Sequence, residues 1–309
     1  MNYTRKSLIF GLGFIVSCCS PWNYLNKWQL IPPALSSEKV AISSDIPKNQ
    51  DGVIFRTIMD RAIASNLSTQ SMGEIIQTVA QQLLGAKYEA GLLDKSTKET
   101  LFVSLQKFDC LLLVESVLAL AHNIALKDQS YHNFTEQIED KRYWNGTLNG
   151  YCSRLHYFSD WIKDNQRRGN LSNITQNLGG VYLPKQLNFM TTHKSSYPIL
   201  IASEANYQCI ASVEESLTGE ALNYIPQKNI AQIYNQLQPG DIIGVATNIP
   251  GLDVTHTGFV YRHPNGNIGL LHASPAGKVV IAPDLQQYVG KVDNAIGIIV
   301  VRANKPLKN

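Results

Sequence analysis

The chain has 309 residues, 44% hydrophobic and 17% charged, enough apolar material for one large globular domain or two small ones. Its net charge of +3, with no basic block, excludes a nucleic-acid partner recruited by charge. None of its five cysteines forms a C-x-x-C pair, which argues against a cysteine-rich zinc site.

Residues 1–19 read as an export signal, in which Arg5 and Lys6 precede an apolar run, Ser7 to Ser17, too short to span a bilayer. Ile15-Val16-Ser17-Cys18 is similar to a bacterial lipoprotein cleavage box. Acylation of Cys18 would tether the protein to a membrane; simple secretion and an uncleaved leader are the alternatives. Residues 20–55, with Pro21, Pro32, Pro33 and Pro47, read as a linker, and a single domain is expected over 56–309. Ile58, Met59, Ala62 and Ile63, then Ile75, Ile76, Val79 and Leu83, predict two helices with a break near Ser68–Ser71. Gly85 is expected as the second helix's C-cap.

Phe108-Asp109-Cys110-Leu111-Leu112-Leu113-Val114-Glu115 begins the next helix, expected to be buried and to end near Asn123. Asp109 is the N-cap, so Cys110 falls in the first turn, where the helix dipole favours thiolate. The dipole is not sufficient. It offers about 0.3–1 kcal/mol, and one pKa unit is worth roughly 1.4 kcal/mol. A thiol titrating near ~8.5 therefore needs an adjacent histidine to act as a nucleophile.

The region 130–225 is less regular and is expected as an insertion lining a substrate cleft. The cluster Tyr151 to Ile162 suits a helix that brings Cys152 and His156 onto one face, as packing residues rather than metal ligands. Segments 198–202 and 208–213 are expected as strands, and Ile230 to Leu237 as a short helix. Outside the leader the cysteines are Cys110, Cys152 and Cys209, which fits one reactive thiol with or without a Cys152–Cys209 bridge. After Gly240 the texture is strand: 241–246, 255–262, 268–273, 279–281 and 295–302. The fold class is α+β, a nucleophile helix packed on a small antiparallel sheet or half-barrel.

Of the seven histidines, His256 and His272 lie on apolar strands, where an imidazole needs a reason to be. A two-residue turn at Asn265-Gly266 would put them on opposite faces. A three-residue loop, Pro264-Asn265-Gly266, pairs 263 with 267 and opposes His272 to Gly258, with His256 diagonal on the same face. Pro264 suits the first position of a type I turn and Gly266 the left-handed bulge that follows, so the three-residue loop is expected. His256 would then accept the Cys110 proton, His272 would orient His256, and backbone N–H groups with the Tyr88 hydroxyl would stabilise an oxyanion.

The ordered set Gly85-x-x-Tyr88, Phe108-Asp109-Cys110, Ser153-Arg154-Leu155-His156-Tyr157-Phe158, Asp241, Gly251-Leu252-Asp253-Val254, Thr255-His256-Thr257-Gly258, Leu271-His272-Ala273-Ser274 and Gly297-Ile298 with Arg302 resembles NlpC-type cell-wall hydrolases. The resemblance extends over roughly residues 60–302 and is closer to their N-acetylmuramoyl-L-alanine amidase-like branch. It implies a papain-like fold, a Cys110/His256/His272 triad, and hydrolysis of the amide between the muramic acid lactyl group and L-Ala in small anhydro-muropeptides. Tyr88, Asp109 and Arg154 are the expected oxyanion or substrate contacts. No metal or other cofactor is expected, and a monomer is. In one departure, Leu111, Leu112 and Leu113 stand where the family usually carries threonines, with consequences for substrate preference if they line the cleft. Two other readings are an endopeptidase cutting D-Glu from a diamino acid in the same stems, and a non-catalytic envelope lipoprotein that binds glycan or peptide.

Overall fold

The computed structural model describes residues 46–306 apart from 97, 220 and 221. The expected leader with Cys18, and the expected linker as far as residue 45, lie outside the described residues. Helix α1 (Gln50–Ala64) starts inside the segment expected as linker. The Asn49 side chain accepts from the Gly52 N–H at 3.1 Å, a cap that sets the start earlier than the apolar period alone suggests. The expected break follows as a 3₁₀ turn at Leu67–Thr69. Helix α2 (Met72–Gln82) opens on a Ser71/Glu74 capping box. Its C-cap is Leu83; Gly85, at φ +87°, instead turns the chain so that its N–H donates to Val279 O at 2.9 Å.

Strands β1 (Lys87–Tyr88) and β2 (Lys107–Phe108) deliver the chain to helix α3 (Cys110–Leu126). Every residue from Cys110 to Ala121 is buried, because α3 is enclosed by α2, by α4 (Tyr131–Arg142) and by the sheet. Leu111, Leu112 and Leu113 belong to this core. Their departure from threonine therefore fills the interior rather than the cleft. Glu115 is buried with them and accepts from Arg142 Nε at 2.7 Å, the pairing that an enclosed carboxylate requires.

Next come α5 (Phe158–Arg167), β3 (Leu171–Asn173), β4 (Val181–Leu183), α6 (Phe189–Thr192), α7 (Pro198–Ala202), α8 (Glu204–Leu217) and β5 (Leu222–Pro226). Two expectations fail here. The segments 198–202 and 208–213 are helical. Ile210, Val213 and Leu217 are the buried face of α8 at three- and four-residue spacing, and Ser203 caps it. Residues 151–162 are not one helix. A 3₁₀ turn at Tyr151–Ser153 leads into extended chain, in which Leu155 N–H donates to Arg142 O at 3.0 Å, and α5 begins only at Phe158. Cys152 and His156 consequently share no helical face, and Cys152 is bonded to Cys209 of α8.

The expected insertion is only partly separate. Phe134, Ile138 and Trp161 join the core around α3, while residues from Leu187 to Leu217 make a second core with Tyr151, Tyr157 and Leu252. The short helix expected at 230–237 is a 3₁₀ helix over Gln227–Ile233.

The last third holds β6 (Ile242–Thr247), β7 (Val254–Arg262), β8 (Ile268–Ser274), β9 (Lys278–Ala282), helix α9 (Leu285–Val289) and β10 (Ala295–Ala303). The sheet order is β2-β1-β9-β8-β7-β6-β10-β5-β4, with β3 also on β10. All pairs are antiparallel except β1 with β2, and the curled sheet makes a half-barrel. One face meets α3 through Phe259 and Leu271; the other carries Val260 and Leu270 against Leu285 and Val289 of α9.

Candidate active site

Cys110 opens α3, and the Asp109 carboxylate accepts from the Leu112 N–H at 2.8 Å. The sulfur is enclosed, at 0% exposure. The thiolate expected from the dipole is not favoured in this environment. Burial, then the Asp109 charge, pushes the Cys110 thiol up to about 12, while the neighbouring Thr257 acts against them. Those two contributions outweigh a helix end worth at most about one unit. Asp109 is itself raised to about 6 by desolvation. An anionic carboxylate would repel an oxyanion, so the observed work of Asp109 is to cap the helix.

The hairpin takes the three-residue form. Phe259 pairs with Leu271 and Arg262 with Ile268. His263 N–H donates to Asn267 O at 2.9 Å, and Gly266 sits at φ +87°. His256 and His272 share a face, with Nε2 of His256 2.7 Å from Nδ1 of His272 and the rings at 90°. Gly258 opens the space between them: a Cβ there would stand 2.9 Å from the His272 Cβ and 2.8 Å from Leu271 O. Burial holds both imidazoles neutral, His256 well below the usual range with His272 adding to the effect, and His272 at about 4.

Their shared face is the one lined by α9 rather than the one under the body of α3. Cys110 lies at the start of α3, beside Thr257, the neighbour of His256 in β7. Tyr88 of β1 lies near the sulfur, its phenol raised by burial and then by Cys110 and Asp109. Sequence reasoning missed Tyr288. It contacts His272 Nδ1 through its hydroxyl at 3.4 Å, its ring centroid is 4.5 Å from that of His272, and burial followed by Cys110 and Tyr88 raises its phenol. A lone Tyr in Leu285-Gln286-Gln287-Tyr288-Val289 carries no motif that could have marked it. Thr257 was legible only as the residue after His256.

Arg154 is not part of this constellation. Its guanidinium contacts Asp94 at 2.8 Å, Glu99 at 3.6 Å and the Tyr151 ring at 4.8 Å. His156 is buried beside it, with Nε2 3.2 Å from Tyr151 O, which agrees with its reading as a packing residue.

The N-acetylmuramoyl-L-alanine amidase-like family model matches residues 78–298, a span that includes the Cys110 helix and both histidine strands. The chain belongs to this family. An N-acetylmuramoyl-L-alanine amidase from Bacteroides uniformis is 32% identical in a crystal structure that superposes with a TM-score of 0.71, covering 76% of this chain and 99% of that one. A second crystal structure of an amidase from that species gives 0.70 at 31% identity, with 76% and 99% coverage. A Legionella pneumophila protein, 23% identical with a TM-score of 0.59 and coverage of 82% and 96%, shares the fold. No curated protein matches the chain significantly. Membership of the amidase-like family makes the chain a peptidoglycan-related hydrolase, and gives the Cys110 region a chemistry to be tested.

Proposed function

We propose that this protein is a cysteine amidase that hydrolyses the N-acetylmuramoyl-L-alanine amide of peptidoglycan fragments, anhydro-muropeptides in particular, through a papain-like Cys110/His256/His272 triad. The observation that supports this best is the 2.7 Å contact between His256 Nε2 and His272 Nδ1, next to Thr257, which neighbours Cys110. With Nε2 engaged, His256 has Nδ1 for the thiol. The resting thiol and imidazole are both neutral, so proton transfer accompanies attack and no ion pair is stored beforehand.

In the first step the Cys110 proton passes to His256, and the sulfur bonds to the lactyl carbonyl carbon. The oxyanion is met by N–H groups at the start of α3 and by the Tyr88 hydroxyl, a phenol that stays protonated at neutral pH. The C–N bond then breaks, His256 protonates the departing L-Ala nitrogen, and a thioester remains. Water, losing its proton to His256, cleaves the thioester to release the lactyl carboxylate and restore the thiol. Arg154, held by Asp94 and Glu99, is assigned to the wall of the substrate cleft; the Asp94 side chain it grips is 43% exposed. Export through the 1–19 leader, with lipidation at Cys18, would put the enzyme in the cell envelope with its substrate.

Digestion of defined anhydro-muropeptides by wild type and Cys110→Ala tests the proposal. The expected result is release of the intact peptide by wild type and none by the variant. An L-Ala-D-Glu stub left on the sugar would replace the amidase with an endopeptidase. Hydrolysis by Cys110→Ala at the wild-type rate would refute the nucleophile.

A further inference from the structure

The hydroxyl of Tyr288 has no place in the triad, yet it meets the nitrogen through which the two imidazoles communicate. Nδ1 of His272 lies 2.7 Å from His256 Nε2 and 3.4 Å from the Tyr288 hydroxyl. That nitrogen either carries a proton or offers a lone pair, and the choice propagates. If it carries the proton, it donates to His256 Nε2. The proton of His256 then sits on Nδ1, leaving that ring no base for the sulfur. If it offers the lone pair, His256 donates from Nε2 and its Nδ1 is free to accept.

We propose that Tyr288 is a positioning residue: its hydroxyl is a second, longer donor that shares the His272 Nδ1 lone pair with the His256 Nε2–H, disfavours a proton on that nitrogen, and thereby favours the His256 tautomer whose Nδ1 can take the Cys110 proton. The inference deepens the amidase reading and rests on it for the direction of proton transfer. Tyr288 is well suited to this task. Its phenol stays protonated, because burial and the neighbouring Cys110 and Tyr88 all disfavour the phenolate. The groups facing it are Cys110 from α3, Tyr88 from β1, His256 from β7 and His272 from β8. The hydroxyl is held in register by its helix. Leu285 and Val289 are buried against the sheet, and Asp284 accepts from the Gln287 N–H at 2.8 Å. The Tyr234 hydroxyl donates to Asp284 at 3.1 Å and accepts from the Gln286 N–H at 2.8 Å. A ring fixed on both sides loses little conformational entropy in making one further hydrogen bond.

The test is Tyr288→Phe, which keeps the ring and deletes the donor, read by ring-nitrogen NMR of the full chain labelled at histidine and by steady-state kinetics on anhydro-muropeptides. In wild type, His272 Nδ1 is expected at the downfield position of an unprotonated nitrogen. In the variant it should move toward the protonated position, while kcat falls roughly 3- to 10-fold, the worth of one neutral hydrogen bond, and KM stays within about twofold. A protonated His272 Nδ1 in wild type, an unchanged tautomer in the variant, or an unchanged kcat would each overturn the proposal. The NMR reading needs no turnover. If wild type cleaves no muropeptide, the amidase reading falls, and the tautomer comparison still decides the role of Tyr288.

Discussion

Asp109→Asn separates the two effects of the carboxylate beside Cys110. As a cap it accepts from the Leu112 N–H at 2.8 Å, which an asparagine oxygen does as well. As a charge it is unfavourable. Desolvation raises it from 3.8 to about 6, and its ionisation in turn raises the Cys110 thiol. A carboxyl whose pKa is higher in the folded than in the unfolded protein binds its proton more tightly when folded. The associated stability is present below about 3.8 and is lost as pH rises through about 6. Two units at roughly 1.4 kcal/mol each make this up to about 3 kcal/mol by neutral pH. The variant has no such loss, so its stability relative to wild type should grow by up to about 3 kcal/mol between pH 4 and pH 7.5. Urea unfolding of both proteins across that range measures it, and taking the difference removes the other titrating groups. The thiol should also react faster with a small alkylating agent in the variant, since one of the two causes that raise it is gone. A stability difference that does not change with pH would refute the reasoning, because it would mean that Asp109 ionises as readily folded as unfolded.

His272→Ala and His272→Asn should differ. Alanine leaves the buried His256 Nε2–H without an acceptor, a loss of about 1–3 kcal/mol, or roughly 5- to 150-fold in kcat/KM, whereas asparagine still accepts. Equal kcat/KM values for the two variants in muropeptide hydrolysis would remove His272 from its orienting role. Replacing both Cys152 and Cys209 by serine opens a loop of 57 residues and should cost about 4 kcal/mol by loop-closure entropy. Urea unfolding reports the loss, and stability equal to wild type would show that the unfolded chain is not restrained by this bridge.

Legibility followed the range of the interactions. The capping Asp109, the apolar run behind Cys110 and the Val- and Ile-rich strands after Gly240 are local patterns, and each became the element expected of it. The hairpin register was also local. Pro264 and Gly266 select one loop length, and loop length decides which faces His256 and His272 occupy. Failures came where short-range pattern competed with packing at a distance. The apolar residues of α8 read as strand over a few positions, and only their burial against Tyr151, Tyr157 and Leu252 reveals the helical period. His156 seemed to share a helix face with Cys152 until Arg142, at the end of α4, captured the intervening backbone.

By itself the sequence determined where the Cys110 helix begins and that the two imidazoles lie on one side of a hairpin. These follow from backbone preferences spanning a few residues. Tertiary structure alone decided the protonation of the thiol, the ionisation of Asp109 and the contact of Tyr288 with His272. Desolvation depends on everything that surrounds a group, and a contact between a short helix and a strand depends on how the sheet curls. Neither quantity is written in any local run of residues.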